Sequence, residues 1–235
     1  MNILILREAD FTGPSQVRLT GRALRHVTEV HRAAAGDDLA VGLLEGGLGR
    51  GLVTRLDAEA LEMEVRLDQP PPSKLPLTLV LALPRPKVLN RVLAAATSLG
   101  VARIYLVNAW KVEKSYWKSP RLEPENLLLQ RVLGLEQARD TRLPDLHLRR
   151  LLRPFAEQEL PALAAESLAL LAHPGSPEAC PRAVDGPVTL VIGPEGGFLD
   201  AEVELLARNG CRAVHVGERI LRVETAVAAL IGRLF

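Results

Sequence analysis

Cysteine is almost missing from this chain. There are two in 235 residues, Cys180 and Cys211, with no CxxC and no Cys/His spacing suited to zinc. That argues against a disulfide framework and against a structural metal. Aromatic residues make up only 3%, too few for the stacking platforms of single-strand-binding proteins. No apolar run is long enough to span a bilayer, LTLVLAL at 77–83 being typical, and no basic-then-apolar leader opens the chain. A cytoplasmic protein with no membrane association is expected. Lysine is scarce as well, 5 against 24 arginines, a skew that fits a GC-rich genome or a thermophile.

What is present describes a folded protein, with 48% hydrophobic and 24% charged residues. The net charge of +1 conceals an uneven distribution. Residues 1–69 carry 8 basic and 11 acidic groups, residues 70–160 carry 15 and 8, and residues 161–235 carry 6 and 9. A basic centre between acidic ends suits a polyanionic partner, although solvated helix faces produce such blocks too.

Pro70-Pro71-Pro72-Ser73 reads as a stiff linker between two domains, 1–69 and 74–235. In the first, MNILILR, DDLAVGLLEGG, GRGLVTRLD and ALEMEVRLD read as short strands between Gly and Asp punctuation. TGRALRHVTEVHRAAAG reads as one helix from a Thr20 cap to Gly36. A small β-barrel with one helix is expected. After the linker, strands without polar alternation (LTLVLAL, ARIYLVNA, LPDLHL, LALLAHP, VTLVIGP, CRAVHVG) alternate with helical stretches. The class is α/β, with an open parallel sheet.

Ligands of such sheets sit beyond the carboxyl ends of the strands. Three of these ends stand out: LLAHPG (170–175), IGPEGG (192–197) and VGERILRVETA (216–226). The glycine loop lacks the Lys and Ser/Thr of a phosphate loop and the spacing of a dinucleotide fingerprint. Asp200, Glu202 and Glu204 in the helix that follows would repel phosphate. Two readings remain: a tight strand-to-helix turn, or a backbone stripped of Cβ atoms so that a flat ligand can lie against it. In the last loop, Arg219, Arg222 and Glu224 either pair to tie the loop down or face a ligand.

IGPEGGF, VHVG and ERILRVETA followed by a C-terminal helix resemble the signature of the bacterial 16S ribosomal RNA (uracil-N3) methyltransferases, of the SPOUT superfamily. HVTEVHRAAAGDDL, LGV at 99–101 and EQARDTRLP at 136–144 extend the resemblance upstream. It implies a PUA-like RNA-binding barrel, a C-terminal domain tied in a deep trefoil knot, S-adenosylmethionine as cofactor, no metal, and a homodimer. It places Leu171, Ala172, His173, Gly193, Pro194, Glu195, Gly196, Gly197, Val216, Gly217, Ile220, Leu221 and Arg222 at the cofactor, Ile220 and Leu221 as its floor. The chain departs from the family pattern at Val223, where a Thr is usual, at Leu199, where a Ser is usual and Asp200 would take over the cap, at Ala95 and Ser98, and at Arg139, one place early.

N3 of uracil carries a proton at neutral pH, so transfer requires its removal and stabilisation of charge on O2 and O4. Arg219 or Arg222 can donate to those oxygens, and Glu224 either orients an arginine or takes the proton, two nearby arginines favouring orientation. RNA, within the small ribosomal subunit, would be held by Arg22, Arg25, His26 and Arg32 on the first helix and by Lys114, Lys118, Arg139 and Arg142. Tyr116 and Trp117 either stack a base or anchor their loop. The alternatives are an RNA-binding ribosome-assembly protein without catalysis and an α/β enzyme for another adenine-bearing ligand.

Overall fold

The computed structural model describes residues 2–235. The chain divides into two compact units. One runs to Ser73 and also takes Leu135–Leu143, and the other comprises Lys74–Gly134 and Pro144–Phe235.

The first unit holds β1 (Leu4–Leu6), β2 (Gln16–Leu19), α1 (Gly21–His26), β3 (Asp38–Leu43), β4 (Leu48–Leu56) and β5 (Leu61–Gln69). They form a five-stranded sheet in the order β1-β3-β4-β5-β2, parallel only between β1 and β3. Alternation along the strands buries one face: Val17, Leu19, Val53, Leu61, Met63 and Val65 point inward with Leu24 and Val27. The helix differs from the expected single run. After α1 the bonding widens into a π-turn over Val27–His31, and Arg32, left-handed at φ 52°, stops it short of Gly36. Thr20 occupies the N-cap position but its hydroxyl makes no capping bond. Gly36, at φ 95°, serves the turn into β3 instead.

Leu135–Leu143 belongs with this unit because its polar groups find partners there. The buried Glu136 takes a bidentate pair from Arg22 (2.5 and 2.9 Å), and the buried Thr141 donates to the Gly46 carbonyl (2.5 Å). A division at the proline linker alone does not foresee this.

The second unit contains β6 (Leu75–Ala82), α2 (Pro86–Ser98), β7 (Val101–Val107), most of α3 (Pro124–Ala138), β8 (Asp145–Arg149), α4 (Leu152–Gln158), α5 (Leu160–Ala165), β9 (Leu168–Ala172), β10 (Val188–Ile192), α6 (Asp200–Arg208), β11 (Arg212–Val214) and α7 (Val223–Leu234). Six strands pair in parallel in the order β11-β9-β10-β6-β7-β8. All five residues of β10 are buried, so a strand at the middle of the sheet shows no alternation. α2 approaches α3 closely at Gly134, where a Cβ would stand 2.5 Å from the Ala94 carbonyl oxygen. Both cysteines are buried, and burial pushes the Cys211 thiol up to about 12, which keeps it protonated and unreactive. Among the described residues no helix is long and apolar enough to cross a membrane.

Candidate active site

The register of the second sheet sets its carboxyl ends side by side. Val214 pairs with Ala172, Ala172 with Ile192, Ile192 with Leu81, and Leu81 with Leu106. The loops after β6, β7, β9, β10 and β11 therefore leave from one edge. This edge brings together the three loops singled out in the sequence. The first is fixed to the strand that leads into the third, where the His173 amide donates to the Val214 carbonyl (2.9 Å).

The glycine loop holds its shape through side chains from neighbouring loops. Phe198 is buried beneath it, and a Cβ on Gly193 would stand 3.1 Å from that ring. The Glu195 carboxylate accepts the Arg85 amide (3.0 Å) at the start of α2. Lys111 lays its stem over Gly196 and donates its ammonium to the Gly196 carbonyl (2.7 Å). Glu195 is thereby occupied in holding the loop, and what it leaves to a ligand is the loop's backbone. Gly197 and Gly217 have left-handed φ values of 69° and 152°, and a Cβ on either would meet nothing within 4 Å. Both leave bare backbone facing open space at the sheet edge where the three loops meet.

The helix after the loop is capped otherwise than expected. Leu199 is the N-cap residue and Asp200 the first helical residue, exposed. Glu202 reaches back to accept the Leu199 amide (2.9 Å), and its other oxygen accepts the Trp110 amide from the loop after β7 (2.8 Å). One carboxylate thus satisfies two backbone donors from two loops. Glu202→Ala should lower stability by about 1–2 kcal/mol, with Glu202→Gln, which keeps one acceptor oxygen, costing less. Urea unfolding of both variants measures this.

In the last loop Arg222 is the N-cap residue of α7, its carbonyl accepting the Ala226 amide (2.8 Å). Arg219 and Arg222 are exposed and, among the described residues, neither makes an ion pair. Glu224 pairs with neither; Arg91 of α2 takes it at 3.3 Å. The loop is therefore not tied down by its own charges. Ile220, expected in the cofactor floor, is 83% exposed in this structure. Leu221, Val216, Ala172 and His173 are partly buried, and Leu171 and Pro194 fully.

The side chains proposed for RNA divide by what already holds them. Arg22 is engaged by Glu136, and Arg142 donates to the Pro72 carbonyl. Half-buried His26 has its pKa lowered chiefly by desolvation and stands edge-on to His31, 4.9 Å away, both of which disfavour its cationic form. Arg25, Arg32 and Arg139 of the first unit, and Lys114 and Lys118 of the second, are exposed. Trp117 is buried, its indole donating to Asn108 (2.8 Å) beneath Arg150 (5.6 Å), and Tyr116 donates to Glu113 (3.2 Å). These two aromatics anchor their loop.

Residues 71–234 match the family model described as the RNA methyltransferase domain, which gives the class this sheet and its loop edge define. Over the whole chain the similarity is narrower. A ribosomal RNA small subunit methyltransferase E of Treponema pallidum is 30% identical over 97% of this chain and 88% of its own length. Its counterpart in Mycobacterium bovis is 31% identical over 88% and 81%. The chain belongs to the ribosomal RNA small subunit methyltransferase E family. Two solved structures share the fold. A Legionella pneumophila protein in complex with the cofactor SAM has a TM-score of 0.78 at 22% identity, covering 98% of this chain and 95% of its own. The Neisseria gonorrhoeae ribosomal RNA small subunit methyltransferase E bound to S-adenosyl methionine has a TM-score of 0.75 at 24% identity, with the same coverage of both chains.

Proposed function

We propose that this protein transfers a methyl group from S-adenosylmethionine to N3 of a uridine in 16S ribosomal RNA. Membership of the family supports the reaction class, and one observation carries the site: left-handed Gly197 and Gly217 present bare backbone to open space at one sheet edge. A cofactor without phosphates fits this cradle, because acidic Asp200 and Glu202 open the helix behind it. Backbone of Gly193–Gly197, His173 and Val216–Gly217 would hold the adenosine end, beside Ala172 and Leu221. When bound, S-adenosylmethionine supplies a methyl group already activated by its sulfonium charge.

The rest falls to side chains. Arg222, with Arg219 as its neighbour, donates to the uracil oxygens as N3 loses its proton to water, stabilising charge that develops only in the transition state. Glu224, engaged by Arg91, holds an arginine in place instead of taking the proton. Arg25, Arg32, Arg139, Lys114 and Lys118 are the phosphate contacts. We read the first unit as the PUA-like RNA-binding barrel and the second as a SPOUT domain with a deep trefoil knot. The protein works as a homodimer in which the partner subunit covers the exposed Ile220, and it acts on the small ribosomal subunit in the cytoplasm.

The test is incubation with methyl-labelled S-adenosylmethionine and either deproteinised 16S RNA or small subunits. Label should enter RNA in at least one arm. RNA binding without label in either arm would mean an assembly protein without catalysis.

A further inference from the structure

Trp110 is 79% exposed, the most exposed aromatic among the described residues. An indole is large and apolar, and a loop that leaves one in water forgoes its burial. The position is nevertheless held firmly. The Trp110 amide and the Leu199 amide are one carboxylate apart, both donating to Glu202 (2.8 and 2.9 Å). The adjacent Lys111 is bonded to Gly196 (2.7 Å), and the Val112 amide closes a turn onto the Ala109 carbonyl (3.0 Å). The Trp110 backbone is thus fixed from both sides next to the glycine loop.

The segment that carries Trp110 is net cationic: Lys111, Lys114, Lys118 and Arg121 are exposed along it, against Glu113 and Glu123. A rigid π face on a net cationic segment matches an unstacked nucleobase with its phosphates. A second copy of the chain fits less well, because a two-fold contact through this patch would draw like charges together.

We infer that Trp110 is a nucleobase-stacking subsite, taking an unpaired base of the RNA substrate next to the cofactor loop. This rests on the reading of the protein as an RNA methyltransferase. With Tyr116 and Trp117 committed to the loop's interior, Trp110 is the aromatic of this segment left to stack, and its place next to Lys111, which is bonded to Gly196, makes it a substrate-positioning residue. It explains how an aromatic-poor protein holds an extruded base: one indole at the site replaces a platform.

Trp110→Ala and Trp110→Phe test it through four measurements: RNA half-saturation in single-turnover methyl transfer, direct binding of 16S RNA at two salt concentrations, calorimetry with S-adenosylmethionine, and light scattering. Trp110→Ala should raise RNA half-saturation and the dissociation constant by about tenfold, and Trp110→Phe, which keeps a stacking face, by less than about threefold. Cofactor affinity should stay at the wild-type value, and so should the salt slope, since no phosphate contact is lost. Unchanged RNA binding by Trp110→Ala overturns the subsite, and so does a loss accompanied by dissociation of a wild-type dimer, which would make Trp110 a contact between copies. If the wild type binds RNA but transfers no methyl group, the functional reading fails, and the binding arm alone still decides the subsite. A wild type that binds no RNA overturns both.

Discussion

Arg222→Ala should slow methyl transfer at saturating RNA by about a hundredfold or more, the usual cost of removing a donor aimed at developing negative charge. The start of α7 fixes the Arg222 backbone, while its guanidinium is exposed and, among the described residues, without an ion pair. Removing it leaves no buried partner stranded, so stability should change by no more than about 0.5 kcal/mol. RNA affinity should hold as well, because one arginine is a minor term among many phosphate contacts. Arg25→Ala should do the reverse: weaker RNA binding, a shallower salt dependence and a nearly normal rate at saturating RNA. Single-turnover transfer beside RNA binding at two salt concentrations separates the two variants. An Arg222→Ala protein that loses RNA affinity but keeps its saturated rate would make Arg222 a phosphate or structural contact.

The second large effect is on the cofactor. Gly197→Val places a branched side chain on a left-handed residue in front of which the protein itself has nothing within 4 Å. The strain should cost roughly 1–2 kcal/mol of stability, which a folded domain survives. Affinity for S-adenosylmethionine should fall by about a hundredfold, or roughly 2.8 kcal/mol, because the new methyl groups fill the space the ligand needs. Gly197→Ala should fall between. The comparison is informative because no protein atom competes for that space. Calorimetry giving wild-type affinity in a folded Gly197→Val protein would move the cofactor elsewhere.

The α/β sheet and its loop edge were legible in the sequence because they depend on local signals. Strands such as VTLVI lack polar alternation, and the glycines at 193, 196 and 197 interrupt the chain where a strand ends. Pairings distant in the chain were not legible. Glu202 looked like one of three acidic residues in a first helical turn, and only the fold brings Trp110, 92 positions away, to its second oxygen. Arg91 likewise meets Glu224 only because α2 and α7 pack together. The end of the first helix was misplaced because Gly36 is a strong stop signal, whereas the left-handed Arg32 that stops it carries none. Tyr116 and Trp117, flanked by lysines, allow either a base platform or a loop anchor in the sequence. The folded loop decides for the anchor through the Asn108 and Glu113 partners it supplies.

The most direct measurement is the chemical identity of the product. 16S RNA, free and within small subunits, would be incubated with this protein and labelled S-adenosylmethionine, digested to nucleosides and resolved by mass spectrometry. The account predicts one labelled nucleoside, uridine methylated at N3, absent when Arg222→Ala protein is used for the same short time. Label on a ribose oxygen, on a ring carbon or on a different base would contradict the arrangement of Arg219 and Arg222 around uracil, and no label in either substrate would contradict the account as a whole.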